Sequence, residues 1–282
     1  MSRVSFPWLA VLALGLGLVL PRIGTAQAPP DARTRSDTVA LSPSGQVEID
    51  NHTGSISVTT WDRPQVGYVV SLAPEEEDSV DASDFAVQHD KDEVSFGHED
   101  TWTLNIPGVL RISPGGTSEP IGKYRVVMPA TAALEIDDYG STIEVSGVKG
   151  AVDINTHHGT VSVEETQGEL DLATFSSAAT ATGLRNKTEL GTHSGQITAV
   201  FEEFSEASSA DMFSGDLRVY LPSDTGFVLE TDADSSRVTI DDAFSLTSRD
   251  DERWVFNGGG TALSVETFSG SVELRPLDAY AP

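Results

Sequence analysis

Along most of the chain a small turn residue is followed, two and four positions later, by apolar side chains. Gly150 precedes Val152 and Ile154, Gly159 precedes Val161 and Val163, Gly168 precedes Leu170 and Leu172, and Gly195 precedes Ile197 and Ala199. The pattern returns at Gly215 with Leu217 and Val219, at Gly270 with Val272 and Leu274, and early in the chain at Gly45 and Gly54. Weaker copies start at Ser177, Asn186 and Ser236. Side chains alternate between the two faces of a strand, so the apolar residues point one way while Asp153, Ser162 and Asp171 between them point the other. The segments are rich in Val, Ile and Thr, are broken by Gly, and never adopt a 3.6-residue period, so the pattern predicts an all-β protein with no long helix.

Turn positions 150, 159, 168, 177, 186 and 195 are nine residues apart, which is one short strand plus one turn. Two such units give an 18-residue period, and the later turns at 215 and near 235 stretch it to 20. A sandwich tolerates loops of any length, whereas a stack of coils loses its neighbour's register when the spacing drifts. The regularity therefore predicts a β-solenoid of ~18–20-residue coils over 131–282, each coil about 4.8 Å from the next. Residues 38–130 read as an N-terminal β region, within which 74–120 fit the template less well and read as antiparallel strands covering the open end of the stack. The stretch 243–260, with Arg249–Arg253 and Gly258–Gly260, reads as a longer loop before the last copy.

Composition then narrows the function. The 282 residues include 17 Lys+Arg, 44 Asp+Glu and no Cys, giving a formal charge of −27. The missing cysteines exclude disulfide scaffolds, thiol catalysis and cysteine-ligated zinc. The charge argues against nucleic acid or an anionic membrane surface as partner, since both need clustered Lys/Arg. At the start, Arg3, the apolar run Trp8–Leu20 and Ala26-Gln27-Ala28 have the form of an export signal cleaved after Ala28. Residues 29–37 read as a flexible lead-in. No later apolar segment is long enough to span a bilayer. The expected location is the periplasm or cell surface of a bacterium.

The phrase Tyr124-Arg125-Val126-Val127-Met128-Pro129, then Leu134, Ile136, Gly140, Ile143 and Val145, followed by Gly150-Ala151-Val152-Asp153-Ile154, resembles the bacterial putative-adhesin family of β-strand repeats, domain of unknown function 4097. The ending Thr267–Leu274 is similar to that family's last coil, and the resemblance covers roughly residues 38–276. It implies an exported, right-handed β-helix-like solenoid, and it brings no catalytic residues. Ser177-Ala178 and Ser235-Ser236 stand where the family commonly has glycine.

Candidate chemistry is sparse. His157 and His193 occupy one template slot, two before the turn residue, which Phe175, Phe213 and Phe268 share. The slot predicts a stacked column at one corner. With about 9.6 Å between the two histidines they cannot share a metal. His158 lies beside them. Asp137-Asp138 and Asp241-Asp242 are paired acids of the kind a glycosidase or lyase uses, yet such pairs arise readily among 44 acids. Trp61, Trp102 and Trp254 fall outside the regular coils and read as caps rather than sugar platforms. Asn51-His52-Thr53 and Asn186-Lys187-Thr188 match the glycosylation triplet, relevant only to a eukaryotic secretory route. No calcium repeat, nucleophile elbow, zinc-protease motif or phosphate loop occurs. The expectation is a non-enzymatic adhesin or scaffolding surface with no catalytic, cofactor-binding or metal residues. Its partner is an unnamed protein or glycan surface, and its oligomeric state is open. A carbohydrate-active β-helix enzyme using surface carboxylates is the rival reading, and an acidic calcium-dependent surface protein a third.

Overall fold

The computed structural model describes residues 33–73, 85–98, 121–232 and 237–281. The leader over 1–28, the start of the lead-in, the acidic turn at 74–78, Trp102 and the Ser235-Ser236 turn lie outside the described residues. Among the described residues twenty strands form one continuous, open sheet. Helical conformation among these residues is limited to 3-10 structure, at Arg237 and in a turn at Leu277–Ala279.

In chain order the strands are β1 (Arg33–Ala40), β2 (Gln46–Trp61), β3 (Gln65–Ala73), β4 (Phe85–His89), β5 (Glu93–His98), β6 (Ile121–Pro129), β7 (Ala133–Ser146), β8 (Val152–Glu164), β9 (Leu170–Thr174) and β10 (Ala178–Leu184). They continue as β11 (Thr188–Thr192), β12 (Gln196–Phe201), β13 (Ser208–Met212), β14 (Asp216–Leu221), β15 (Phe227–Thr231), β16 (Val238–Ile240), β17 (Leu246–Arg249), β18 (Arg253–Phe256), β19 (Thr261–Thr267) and β20 (Ser271–Pro276).

Parallel pairing follows the sequence period. Leu134 faces Val152, which faces Leu170; Ile143 faces Val161, which faces Ala179 and then Ile197. Each step is 18 residues. The next steps, Leu190 to Ala210 and Ile197 to Leu217, are 20. Every coil has two legs. Long β2, β7 and β8 each supply both, and later the pairs β9/β10, β11/β12, β13/β14 and β19/β20 do so. The alternation places the second and fourth residue of each leg inside: Val152, Ile154, Val161, Val163, Leu170, Leu172, Ala179, Ala181, Ile197, Ala199, Leu217 and Val219 are all buried. Their rows form one continuous apolar interior between the legs.

Three expectations are corrected. The coil of Gly215 is not followed in space by the one near 235: Leu217 pairs with Val272, and Val238 pairs with Val272 from the other side. The last coil in sequence, β19/β20, is thus inserted between β13/β14 and β15/β16. The reason lies at 243–260, which is no loop but the antiparallel hairpin β17–β18. That hairpin pairs with the outer edge of β15 and leaves its inner edge for β19. Finally, the lead-in expected over 29–37 is strand from Arg33 onward, because β1 pairs antiparallel with β3 in unbroken register.

The opposite end is closed in the same manner. β5 and β6 lie parallel on the two legs of β2, and antiparallel β4 and β3 cover them. Both terminal hairpins turn on an aspartate that accepts two backbone N–H groups. Asp90 takes them from Asp92 and Glu93, and Asp250 from Glu252 and Arg253. These bonds hold the Asp90 carboxyl below its ordinary range.

Register makes a sharp prediction. Val161→Asp should bury an unpaired carboxylate and destabilise by about 3 kcal/mol or more, while Ser162→Asp should cost on the order of 0.5 kcal/mol. Urea denaturation followed by circular dichroism reads both. The contrast should recur at Ile197 against Thr198. Deleting residues 159–176 removes one whole coil and should leave a shorter folded protein, since coils contact mainly their neighbours. An unfolded product with equal costs at 161 and 162 would contradict the stack.

Candidate functional site

Where the two legs meet, the chain repeats a four-residue corner: Thr156-His157-His158-Gly159, Thr174-Phe175-Ser176-Ser177, Thr192-His193-Ser194-Gly195, Met212-Phe213-Ser214-Gly215 and Thr267-Phe268-Ser269-Gly270. Earlier copies are Asn51-His52-Thr53-Gly54 and Asp138-Tyr139-Gly140-Ser141. Each position has its own task. The first is polar except at Met212 and buried except at the half-buried Asp138: Thr174 Oγ1 donates to Thr192 Oγ1 at 3.0 Å, and Thr192 Oγ1 accepts the Gly195 N–H at 2.8 Å. At the third position the serine hydroxyls of 194, 214 and 269 donate to the carbonyls of Phe175, His193 and Phe213 one coil away. The fourth position is tight. Gly159 has φ +108°, and a Cβ there would lie 2.0 Å from the Ser141 carbonyl oxygen.

The second position carries rings, and these form one unbroken column: His52, Tyr139, His157, Phe175, His193, Phe213 and Phe268. Successive centroids are 4.4–5.1 Å apart with interplanar angles of 4–15°. Six strand spacings make the column roughly 29 Å long. The sequence slot finds its upper five members. His52 and Tyr139 also stand two before a turn residue, Gly54 and Ser141, so the same signal was present for them. The rings are offset-stacked on one another, so inner members offer only their edges to solvent; a sugar, which stacks on a ring face, finds none free between His52 and Phe213. Phe268, at the far end, is 75% exposed.

Phe175 separates His157 from His193, as the expected spacing requires, and no cluster of three possible metal ligands occurs among the described residues. His158 leaves the column, meets Tyr139 and His157 edge-on, and places Nδ1 2.6 Å from Ser176 Oγ. This is the contact of a nucleophile and base, but it sits on an exposed corner, and the N–H of Ser176 is already given to the His157 carbonyl. The structure separates the paired acids. Asp138 turns toward the corner and accepts from Asn51, Thr156 and Ser141, whereas Asp137 lies on the opposite side of the strand. Asp241 accepts the Ala243 N–H in a turn. Asn51 is buried and donates to Asp138 and Ser141, so its glycosylation triplet is closed in the folded chain. Trp61 donates to the Gln65 carbonyl with Arg63 over its ring, and Trp254 is buried under Arg249 at 3.7 Å. Both serve the stack ends.

Register also builds an acidic ladder that adjacent acids in the sequence do not reveal. On the outer side of the first leg, Glu48, Glu135, Asp153, Asp171 and Glu189 face one another across successive strands. A shallow groove of about 310 Å³ runs along it, lined by Glu135, Asp153, Glu169, Asp171, Lys187 and Glu189. Partial burial, then the neighbouring carboxylates, raise the Asp153 and Asp171 carboxyls above their ordinary range. The matching side of the second leg carries Thr142, Thr160, Ser162, Thr180 and Thr198. One flank is therefore strongly acidic and the other hydroxylated.

Two predictions follow from these rows. A raised folded-state pKa adds stability below the unfolded value that is lost as pH rises through the folded one. Asp153→Asn should accordingly stabilise at pH 7 by about 0.5 kcal/mol, reduced by solvent screening, and should have no effect once acid protonates the wild-type group. Thermal melts at neutral and acidic pH check it. In the column, Phe175→Ala loses two ring contacts and should cost about 1–2 kcal/mol, whereas Phe268→Ala, with one, should cost about 0.5 kcal/mol.

The family pattern of Toastrack, DUF4097, matches residues 37–275. No curated protein matches the chain. Among solved structures it is similar to a putative cell adhesion protein from Clostridium sporogenes, at 7% identity and TM-score 0.38, covering 86% of this chain and 100% of that one. It is also similar to a putative adhesin from Bacteroides fragilis, at 15% identity and TM-score 0.32, covering 88% and 98%. With the family pattern running from β1 through β20, this chain belongs to the Toastrack family.

Proposed function

We propose that the protein is a non-enzymatic, exported adhesin or scaffold whose working parts are its registered outer rows. The observation that carries this reading is the distribution of chemistry. Inward positions are spent on the apolar interior, and outward positions repeat one residue type over several coils, as in the acidic ladder and the hydroxyl rows. Such rows suit many weak contacts along an extended partner rather than one converged reaction centre. The solenoid is right-handed in this reading, with 18–20-residue coils, because parallel strands joined by crossovers almost always connect with that hand. The leader over 1–28 is removed after Ala28, the mature chain carries −29 on 254 residues, and it resides in the periplasm or at the surface of a bacterium. Among the described residues no helix is long and apolar enough to cross a membrane.

The groove over Glu135, Asp153 and Asp171 is the one feature that favours a carbohydrate-active enzyme, since retaining and inverting glycosidases both place two carboxyl groups about a cleft. Of the two aromatics such a cleft would want, Trp61 is engaged with Gln65 at the stack end instead, and Trp102 lies outside the described residues.

The deciding experiment expresses the whole chain in a bacterium, sequences the N-terminus of the purified protein, and screens it on polysaccharide and cell-surface-extract arrays at low and high salt. The expected results are a start at Pro29, retention on at least one surface component, and no release of reducing sugar. Retention that vanishes with salt would mark the contact as electrostatic only. Turnover that Asp153→Asn abolishes would replace the adhesin reading with the enzyme.

A further inference from the structure

An open stack must protect four outermost edges, and three are too short or too irregular to pair well with another chain. β16 has three residues, β4 has five, and β17 has four with a register irregularity between Leu246 and Ser248. β1 has none of these. It is eight residues long, contains neither Pro nor Gly, and pairs with β3 from Arg33 to Ala40 without a bulge. Among the described residues its other edge has no strand partner. Thr34 to Thr38 are exposed, so the middle of that edge stands in solvent.

Charges on an edge usually oppose pairing, but those of β1 are of opposite sign and two residues apart. When two copies of the strand run antiparallel about a twofold axis at Ser36, Arg35 of each copy faces Asp37 of the other, and Thr34 faces Thr38. The neighbouring registers fail. A twofold at Arg35 sets arginine against arginine, and one at Asp37 sets aspartate against aspartate, arrangements that destabilise a strand pair. Arg35 and Asp37 lie on the same side as Val39, so the two ion pairs form on one face of the joined sheet.

We propose that the protein self-associates as a twofold dimer through antiparallel β1–β1 pairing centred on Ser36, which extends the second-leg sheet from one copy into the next. The interface is isologous and closed, so it stops at two copies. Its occupant is a second copy of this chain, identified by the self-complementary charge order of the strand.

Two measurements test it on the protein purified after expression of the whole chain. In sedimentation velocity at about 100 µM, enough to populate a micromolar interface, the wild type should contain dimer. Arg35→Asp alone and Asp37→Arg alone should each weaken association at least tenfold, and mixing the two variants should restore dimer, because each then faces the opposite charge. Both substitutions lie on an exposed strand, and unchanged circular dichroism and melting temperature verify folding. The chain has no cysteine, so Ser36→Cys offers an independent readout: mild oxidation should give a covalent dimer, whereas Thr34→Cys, whose counterpart across the axis is residue 38, should give no covalent dimer. A monomeric wild type, a dimer indifferent to both charge reversals, or equal cross-linking at 34 and 36 would overturn the proposal.

Discussion

Backbone hydrogen bonding between parallel coils is the constraint on which everything else in this molecule depends. It ties residue i to residue i+18 across β7, β8, β9/β10 and β11/β12, and to i+20 one coil later. Once that pairing exists, any property repeated in the sequence becomes a straight row in space. The two extra residues of the longer coils fall between β12 and β13, at the corner opposite the ring column. The ring corner thus stays in phase while the period changes, and His193 stacks on Phe213 as closely as Phe175 stacks on His193.

The same register produces gain in one row and cost in another. At the corner it brings ring faces together with shared burial, and the serine and threonine hydroxyls beside them find carbonyl or hydroxyl acceptors one coil away. On the outer first leg it brings carboxylates together at the spacing of β-strands, where like charges repel. Gln46 donating to Glu135 and the Lys187–Glu189 ion pair relieve only part of that repulsion. A row that opposes folding yet spans five strands is consistent with a surface kept for contact rather than for stability, which is the sense in which the fold and the proposed adhesive role meet.

A stack of parallel coils has no natural end, and the two ends here are solved alike. Each receives strands out of sequence order, β5 and β6 on β2 at one end and β15 and β16 on β19/β20 at the other, and each is finished by an antiparallel hairpin closed by an aspartate turn. The solution is cheap in residues and leaves mostly short edges. β1 is the exception, and its charge order gives that exception a use.

Alternation of apolar and polar positions was enough to determine the strand class and the inward set, because a period-two pattern with glycine at fixed intervals has few ways to bury its apolar side. The ring slot was legible for the same reason, being defined relative to the turn. Other features belonged to the tertiary structure alone. That Leu217 meets Val272, 55 residues away, follows from competition among edges for hydrogen bonds, which no local pattern records. The acidic ladder was hidden for a related reason: the sequence displays Asp137 and Asp138 side by side, whereas pleating sends them to opposite sides and joins Asp153 to Asp171 instead. Local spacing decides which way a side chain points; only the closed set of backbone pairings decides which side chain it meets.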